Sequence, residues 1–235
     1  YHAMTREALD QVIGQAPRAL DAPGGRAEDG PAWDLVHEAQ RAASGAPVSL
    51  TALLDPEARL GPGSIRMRDV MRLYPYDNTL VVVRLTGEEL KESLEHASRY
   101  FQGYTYEHDR PLTDPAFAGY QFDAAAGVSY ELDLSQPPGE RVRHLARDGR
   151  PVEPDDTMRV VVNSYRAGGG GGYRAIGKAP RVWTSATLVR DAILELLKTH
   201  AIVGAPHVPN WTILPDYAST AERALIDRLV REGVA

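Results

Sequence analysis

The sequence predicts an α+β domain built on mixed sheets, and three observations carry that reading. Helix-period and strand-period segments are interspersed along the 235 residues. Several of the strands are joined by hairpin signals, which makes them antiparallel neighbours and argues against a doubly wound parallel sheet. The hydrophobic content of 43% is ample for a core, and no internal repeat divides it.

Composition removes several function classes. A net charge of -6 and a pI near 5.7 oppose a nucleic-acid or anionic-membrane surface, both of which call for a basic face. With no cysteine there is no disulfide frame, thiol nucleophile or thiolate metal site. No apolar run is long enough to span a bilayer, and no signal sequence opens the chain, so no membrane insertion is expected. Tyr1-His2-Ala3-Met4 reads as a tag remnant ahead of a start at Met4.

Taken in order, Thr5 to Gly14 has Leu9, Val12 and Ile13 at helical spacing and predicts a short helix ended by Gly14. Pro17, Pro23, Gly24 and Gly25 then mark a loop. Residues 1–30 are therefore expected to be tag remnant, linker helix and loop, and residues 31–235 one domain. Pro31 to Ala43 predicts a helix with proline in its first turn and Leu35, Val36, Ala39 and Ala43 facing inward. Val48 to Leu54 predicts a buried strand.

Gly63 to Met71 resembles a capped short helix, and Thr79 to Leu85 a strand. Thr86-Gly87-Glu88-Glu89 has the Thr-x-x-Glu spacing of a capping box, so a helix is expected over Gly87–Phe101, with Leu90, Leu94, Ala97 and Phe101 inward. Its Glu88, Glu89, Glu92 and Glu95 read as a solvated face. Gly103 to Gly119 is aromatic, charged and proline-broken, an exposed excursion. Gly127 to Leu134 alternates and predicts a half-buried strand. Arg141 to Ala146 returns, and Asp148-Gly149 signals a hairpin before Pro151-Val152. Met158–Val162 is a buried strand, Ser185–His200 a helix with a wide apolar stripe, and Ser219-Thr220-Ala221-Glu222 caps a last helix through Val230.

Chemistry-bearing spacing is sparse. The seven histidines show neither His-x-His nor His-Glu-x-x-His, and His108-Asp109 is the nearest approach to a ligand pair, so no metal is expected in this chain. There is no Gly-x-Ser-x-Gly elbow. The glycine run Gly168 to Gly172 lacks the Gly-Lys-Ser/Thr that would hold phosphate and magnesium. That run follows Val160-Val161-Val162-Asn163-Ser164-Tyr165-Arg166-Ala167, and it reads either as a flexible turn or as a floor that shapes a site. Tyr165, at its mouth, offers a π-face to a flat ligand.

Four segments together carry a resemblance: Pro75-Tyr76-Asp77-Asn78; Leu85-Thr86-Gly87-Glu88-Glu89-Leu90; Gly127-Val128-Ser129-Tyr130-Glu131-Leu132-Asp133-Leu134-Ser135; and Asn163-Ser164-Tyr165-Arg166-Ala167 with its glycines. In order and spacing they resemble the C-terminal domain of the 5'-nucleotidase family. Ala32-Trp33-Asp34-Leu35, Ser44-Gly45-Ala46-Pro47-Val48-Ser49-Leu50, Val189-Arg190-Asp191 and Asn210-Trp211 resemble its 2',3'-cyclic-nucleotide 2'-phosphodiesterase/3'-nucleotidase branch.

The resemblance implies a four-layer α/β/β/α domain that binds the nucleoside part of a nucleotide for a separate N-terminal metallophosphoesterase domain, where a divalent metal pair is expected. By motif, Tyr76 and Tyr165 fall on the two aromatic residues that clamp the base, and Asn78 on the asparagine that reads its edge. Gly168 and Gly169 complete the expected site with Arg166, which either faces a phosphate or is an exposed structural arginine. Two departures stand out. Gly171 replaces an aspartate common near the end of the turn, and Thr51-Ala52-Leu53-Leu54-Asp55-Pro56 replaces an Asn-Gly-Gly-Gly-Ile-Arg run, which leaves Arg26 or Arg59 to substitute for the lost arginine. The expected function is the substrate-binding domain of an extracytoplasmic nucleotide phosphohydrolase, with no hydrolysis by this chain alone. A stand-alone nucleoside-binding or interaction module is the alternative.

Overall fold

A computed structural model of the chain describes residues 7–103, 113–199 and 206–215. Its centre is β9 (Thr157–Asn163), four of whose last residues, Val160 to Asn163, are buried. A run of β-branched residues that is apolar on both faces suits a strand covered from two sides. On one side β9 pairs antiparallel with β4 (Thr79–Thr86), and on the other it pairs parallel with β2 (Val48–Ala52). β5 (Asp123–Ala126) extends the sheet beyond β2, and β10 (Arg181–Leu188) forms the opposite edge, in the order β10-β4-β9-β2-β5. A second mixed sheet has the order β11-β6-β7-β8, from Trp211–Leu214, Ser129–Asp133, Val142–Arg147 and Arg150–Pro151. The α+β class with mixed sheets holds.

Helix α1 (Pro31–Ser44) begins with proline at its first turn and stops at Gly45, whose φ of 64° closes the helix in the left-handed region. It buries Trp33, Leu35, Val36 and Ala39 as its periodicity requires, while Ala43 faces outward. Trp33 meets Phe122 and Trp211 edge-on at 5.9 Å each, so one side chain joins α1, the start of β5 and the second sheet. Helix α3 (Gly87–Ser98) follows the short helix α2 (Met67–Leu73) and starts as the capping box demands. The Glu89 amide donates to Thr86 Oγ1 at 3.1 Å, and the Thr86 amide donates to Glu89 Oε2 at 2.8 Å. Gly87 and Gly127 are both obligatory here: a Cβ would fall 2.0 Å from the Glu153 carbonyl oxygen at the first and 2.1 Å from that of Pro47 at the second.

Five expectations change. The helix expected over Thr5–Gly14 is a helical turn at residues 7–10 followed by strand β1 (Val12–Ala16), because this segment pairs with β3 (Gly63–Arg66) and Gly14 lies against Leu197. The core continues through Ala16, Leu20 and Ala22, so the stretch ahead of residue 31 is packed rather than linker-like. Gly63 to Arg66 is that strand, and only Met67 onward is helical. The helix expected from Ser185 begins at Val189 as α6 (Val189–Thr199), since Arg181 to Leu188 pairs with Val83 to Thr79 of β4, and the β-favouring Val182, Trp183, Thr184 and Thr187 suit that edge. Glu95 is buried rather than solvated: its carboxylate accepts the amides of Gly139 at 2.9 Å and Val142 at 2.7 Å, which ties α3 to the 137–142 turn. The helix expected from Ser219 lies outside the described residues.

Candidate functional site

β4 and β9 are antiparallel, so the start of one and the end of the other lie at the same end of the sheet, with Leu80 opposite Asn163. The turn that precedes β4 carries Tyr76 and Asn78; the turn that follows β9 carries Tyr165, in the short helix α4 (Ser164–Ala167). Asn163 starts α4 by accepting the Arg166 amide on Oδ1 at 2.8 Å, a side-chain N-cap. Between the turns is a cavity of about 320 Å³ lined by Tyr76, Asn78, Tyr120, Asn163, Tyr165 and Arg166, with Ala52 and Leu54 at the end of β2. Tyr76 is 53% exposed and Tyr165 46% exposed, an unusual state for large aromatic rings in a molecule whose core is well filled.

The side chains beneath are held firmly. Asn163 Nδ2 donates to the Tyr74 hydroxyl at 3.1 Å, and Asn78 Nδ2 reaches the same oxygen at 3.4 Å. The Thr79 amide donates to Ser164 Oγ at 3.1 Å. On the outer side, the Val189 amide at the head of α6 donates to the Asn78 carbonyl at 2.9 Å, and Arg190 pairs with Asp77 at 2.6 Å. Burial pushes the Tyr74 hydroxyl above its ordinary pKa, so it stays protonated.

Arg166 is neither exposed nor free for a phosphate. Its side chain is 2% exposed, with Nε and Nη2 donating to the two oxygens of Asp123 at 2.7 and 2.8 Å. Nη2 also donates to the Tyr120 carbonyl at 2.6 Å and Nη1 to that of Gly170 at 3.2 Å. Burial works against the charged guanidinium, but the Asp123 carboxylate more than offsets it and the net pKa is raised. The group lies 5.3 Å from the Tyr165 ring centre and 4.5 Å from that of Tyr173. Arg166 is thus the buried support of the cavity wall.

Gly168 and Gly169 are not among the cavity's lining residues. Gly169 instead faces Gly177 of the short helix α5 (Arg174–Lys178), and a Cβ on Gly177 would come 2.8 Å from the Gly169 Cα. The glycines that matter to the wall are the next two. A Cβ on Gly170 would fall 2.5 Å from the Tyr165 ring, and one on Gly171, at φ 73°, would fall 2.6 Å from Arg166 Nη1. His96 Nε2 holds the Gly171 carbonyl at 2.7 Å from α3, and burial lowers the pKa of its ring.

Of the two arginines left open, Arg26 is the one beside the cavity: Nε and Nη2 each donate at 2.8 Å, to the carbonyls of Leu53 and Leu54. Arg59 is exposed and pairs with Asp21 at 3.5 Å. Tyr120 and Ala52 were not foreseen as lining residues. The aromatic character of the preceding excursion was the one signal for Tyr120, which the Arg166 bond to its carbonyl brings into place.

Asp29, Asp34 and His207 offer ligand atoms within 4.8 Å of one another, a grouping of distant residues that no spacing pattern reveals. Asp34 and His207 line a different cavity, on the α1 side. All three are already engaged in holding the fold. His207 Nδ1 meets Asp34 Oδ2 at 2.6 Å, and Asp29 accepts the amides of Gly30 and Asn210 at 2.9 Å each, which fastens residues 207–210 to the start of α1. His108 and Asp109 lie outside the described residues. No helix among the described residues is long and apolar enough to cross a membrane.

Comparison with known proteins adds four findings. A family model described as "5'-nucleotidase, C-terminal domain" matches residues 12–178. The 2',3'-cyclic-nucleotide 2'-phosphodiesterase/3'-nucleotidase of Salmonella typhimurium is 29% identical over 260 residues, covering 94% of this chain and 40% of that protein. The protein of the same name in Haemophilus influenzae is 30% identical over 254 residues, covering 91% and 38%. The crystal structure of a 5'-nucleotidase precursor from Thermus thermophilus shares the fold with a TM-score of 0.76 at 24% identity, covering 92% of this chain and 42% of that one. The chain spans about two fifths of the length of these relatives.

Proposed function

The chain belongs to the 5'-nucleotidase C-terminal domain family, and from that membership we propose that it is the substrate-specificity part of a metal-dependent nucleotide phosphohydrolase acting on 2',3'-cyclic nucleotides and 3'- or 5'-nucleotides in nucleotide catabolism. In this reading the nucleobase stacks between Tyr76 and Tyr165 while Asn78 meets its edge. An N-terminal metallophosphoesterase domain of the same parent protein holds a divalent metal pair and cleaves the phosphate ester, and the assembly works outside the cytoplasm, as a secreted or periplasmic protein. The metal pair is assigned to that other domain because the ligand-capable group among the described residues, Asp29, Asp34 and His207, does not line the cavity of the two tyrosines and is held by hydrogen bonds within itself and to backbone.

The observation that carries the reading is the exposure of Tyr76 and Tyr165 on one cavity of about 320 Å³, a volume suited to one small ligand. At about 0.3 kcal/mol per heavy atom, a nucleoside of about nineteen heavy atoms gains roughly 6 kcal/mol, a dissociation constant of tens of micromolar. Titration of adenosine into the wild type and the Tyr76→Ala, Tyr165→Ala double variant, followed by NMR, tests it. Each stacked face is worth about 1–3 kcal/mol, so each single change weakens binding about fivefold or more. Unchanged affinity in a folded double variant refutes the clamp.

A further inference from the structure

The β4–β9 ladder ends at Leu80 and Asn163, so the two turns that carry the tyrosines project beyond the last pairing of the sheet. Left to themselves, turns beyond a ladder lack the regular bonds that fix strand spacing. Two side-chain hydroxyls supply that constraint instead. Ser164, the neighbour of Tyr165, accepts the amide of Thr79, the first residue of β4 after the other turn, at 3.1 Å. Tyr74, two residues before Tyr76 and 1% exposed, has its hydroxyl between Asn163 at 3.1 Å and Asn78 at 3.4 Å. The Asn163 amide has no freedom to turn away, because its Oδ1 is spent on the Arg166 amide and only Nδ2 can face Tyr74. Neither Tyr74 nor Ser164 lines the cavity.

We propose that the hydroxyls of Tyr74 and Ser164 are positioning groups that set the gap between the rings of Tyr76 and Tyr165, and thereby select a ligand with the thickness of a single planar heteroaromatic ring system. The inference rests on the clamp reading above and adds to it the parts that hold the clamp to width. A ligand between two faces is stacked on both only when the faces are one ring thickness apart on each side; a wider gap forfeits one of the contacts. Ser164 acts through the spacing of the two rings alone, so removing its hydroxyl has no path to the ligand once a ring is gone, whereas the Tyr74 hydroxyl also holds Asn78.

The test is a double-mutant cycle on the folded chain, with adenosine binding followed by NMR and the fold checked by the amide spectrum. Ser164→Ala is expected to weaken adenosine about fivefold, the factor for one lost hydrogen bond, and Tyr74→Phe, which loses two, by at least as much. Ser164→Thr, which keeps the acceptor, restores wild-type affinity. In the Tyr76→Ala background, Ser164→Ala causes no further loss. Wild-type affinity in Tyr74→Phe and Ser164→Ala overturns the proposal while leaving the clamp standing, and so does an equal loss of affinity in Ser164→Ala with and without Tyr76. Unchanged affinity in Tyr76→Ala itself refutes the clamp, and this inference falls with it. Where Tyr74→Phe does not fold, the contrast between Ser164→Ala and Ser164→Thr decides.

Discussion

Leu80 faces Asn163 across the final pairing of β4 and β9, and this one register fixes where the two exposed tyrosines stand. Tyr76 is four residues before Leu80 and Tyr165 two residues after Asn163, so sequence positions 89 apart become the two walls of one cavity. A slip of one residue in the ladder would turn every side chain of β9 to the opposite face. Function here depends on strand register before it depends on any single side chain.

Gly170→Ala is expected to weaken adenosine binding about fivefold or more, the worth of one stacked face, while altering stability little. The added Cβ would meet the Tyr165 ring at 2.5 Å, so the ring must swing. Gly45→Ala is the control: its φ of 64° makes alanine cost about 1–2 kcal/mol, with nothing within 4 Å to disturb. Urea unfolding together with adenosine titration separates the two, and equal affinity in Gly170→Ala and wild type removes the role assigned to the glycine.

Asp123→Ala leaves a buried guanidinium without its carboxylate. The expected loss of stability is about 3–5 kcal/mol, read from the midpoint of urea unfolding. Arg166→Lys falls short as well, because a lysine cannot make the paired contacts to both Asp123 oxygens together with those to Tyr120 and Gly170. A loss below about 1 kcal/mol in Asp123→Ala, the range of exposed pairs, would deny the pair its supporting role.

His37 predicts an acid limb. Its ring is buried with Nδ1 3.0 Å from Ser49 Oγ, and burial first, then the nearby charge of Arg41, lowers its pKa to about 3. The unfolded chain takes up this proton below about pH 6.5 while the folded chain does not, so the contribution is complete above about pH 6.5 and is lost as pH falls toward 3. Between pH 6.5 and pH 5 the loss is about 2 kcal/mol. Denaturant unfolding across that interval should show the drop in wild type and a correspondingly smaller one in His37→Gln; identical slopes count against it.

The chain by itself is expected not to hydrolyse 2',3'-cyclic AMP, 3'-AMP or 5'-AMP in the presence of manganese, cobalt or zinc. Two-metal hydrolysis needs several ligands converging on both ions, and the ligand-capable group among the described residues is the three-membered one at Asp29, Asp34 and His207. Turnover that follows the protein through purification and disappears in His207→Ala would overturn this and move the chemistry to that cluster.

What was legible in the sequence was local. The Thr86 and Glu89 capping box, the proline start of α1 and the Asp148-Gly149 hairpin, with φ of 51° and 73°, all form as their residues dictate. Tyr76, Asn78 and Tyr165, singled out by motif, line one cavity. What was illegible depended on partners distant in sequence. Val12 to Ala16 has helical spacing yet becomes a strand because β3 lies beside it, and Arg181 to Leu188 extends because β4 offers an edge. Arg166 is polar in composition, and only the position of Asp123, 43 residues earlier, turns it into an internal support. Tyr120 reaches the cavity through that same arginine.

The central place of β9 also bears on how the chain is made. β2 and β4 never pair with each other; both pair with β9, whose last residue is 163. During synthesis, the first half of the sheet therefore emerges from the ribosome as separate pieces, β2 with β5 and β4 alone, each with an open edge that invites other chains. The valines that join these pieces also end in the turn that bears Tyr165, so the step that closes the facing edges of β2 and β4 is the step at which the nascent chain first possesses both walls of its cavity, and only the outer edge of β4 then waits for β10.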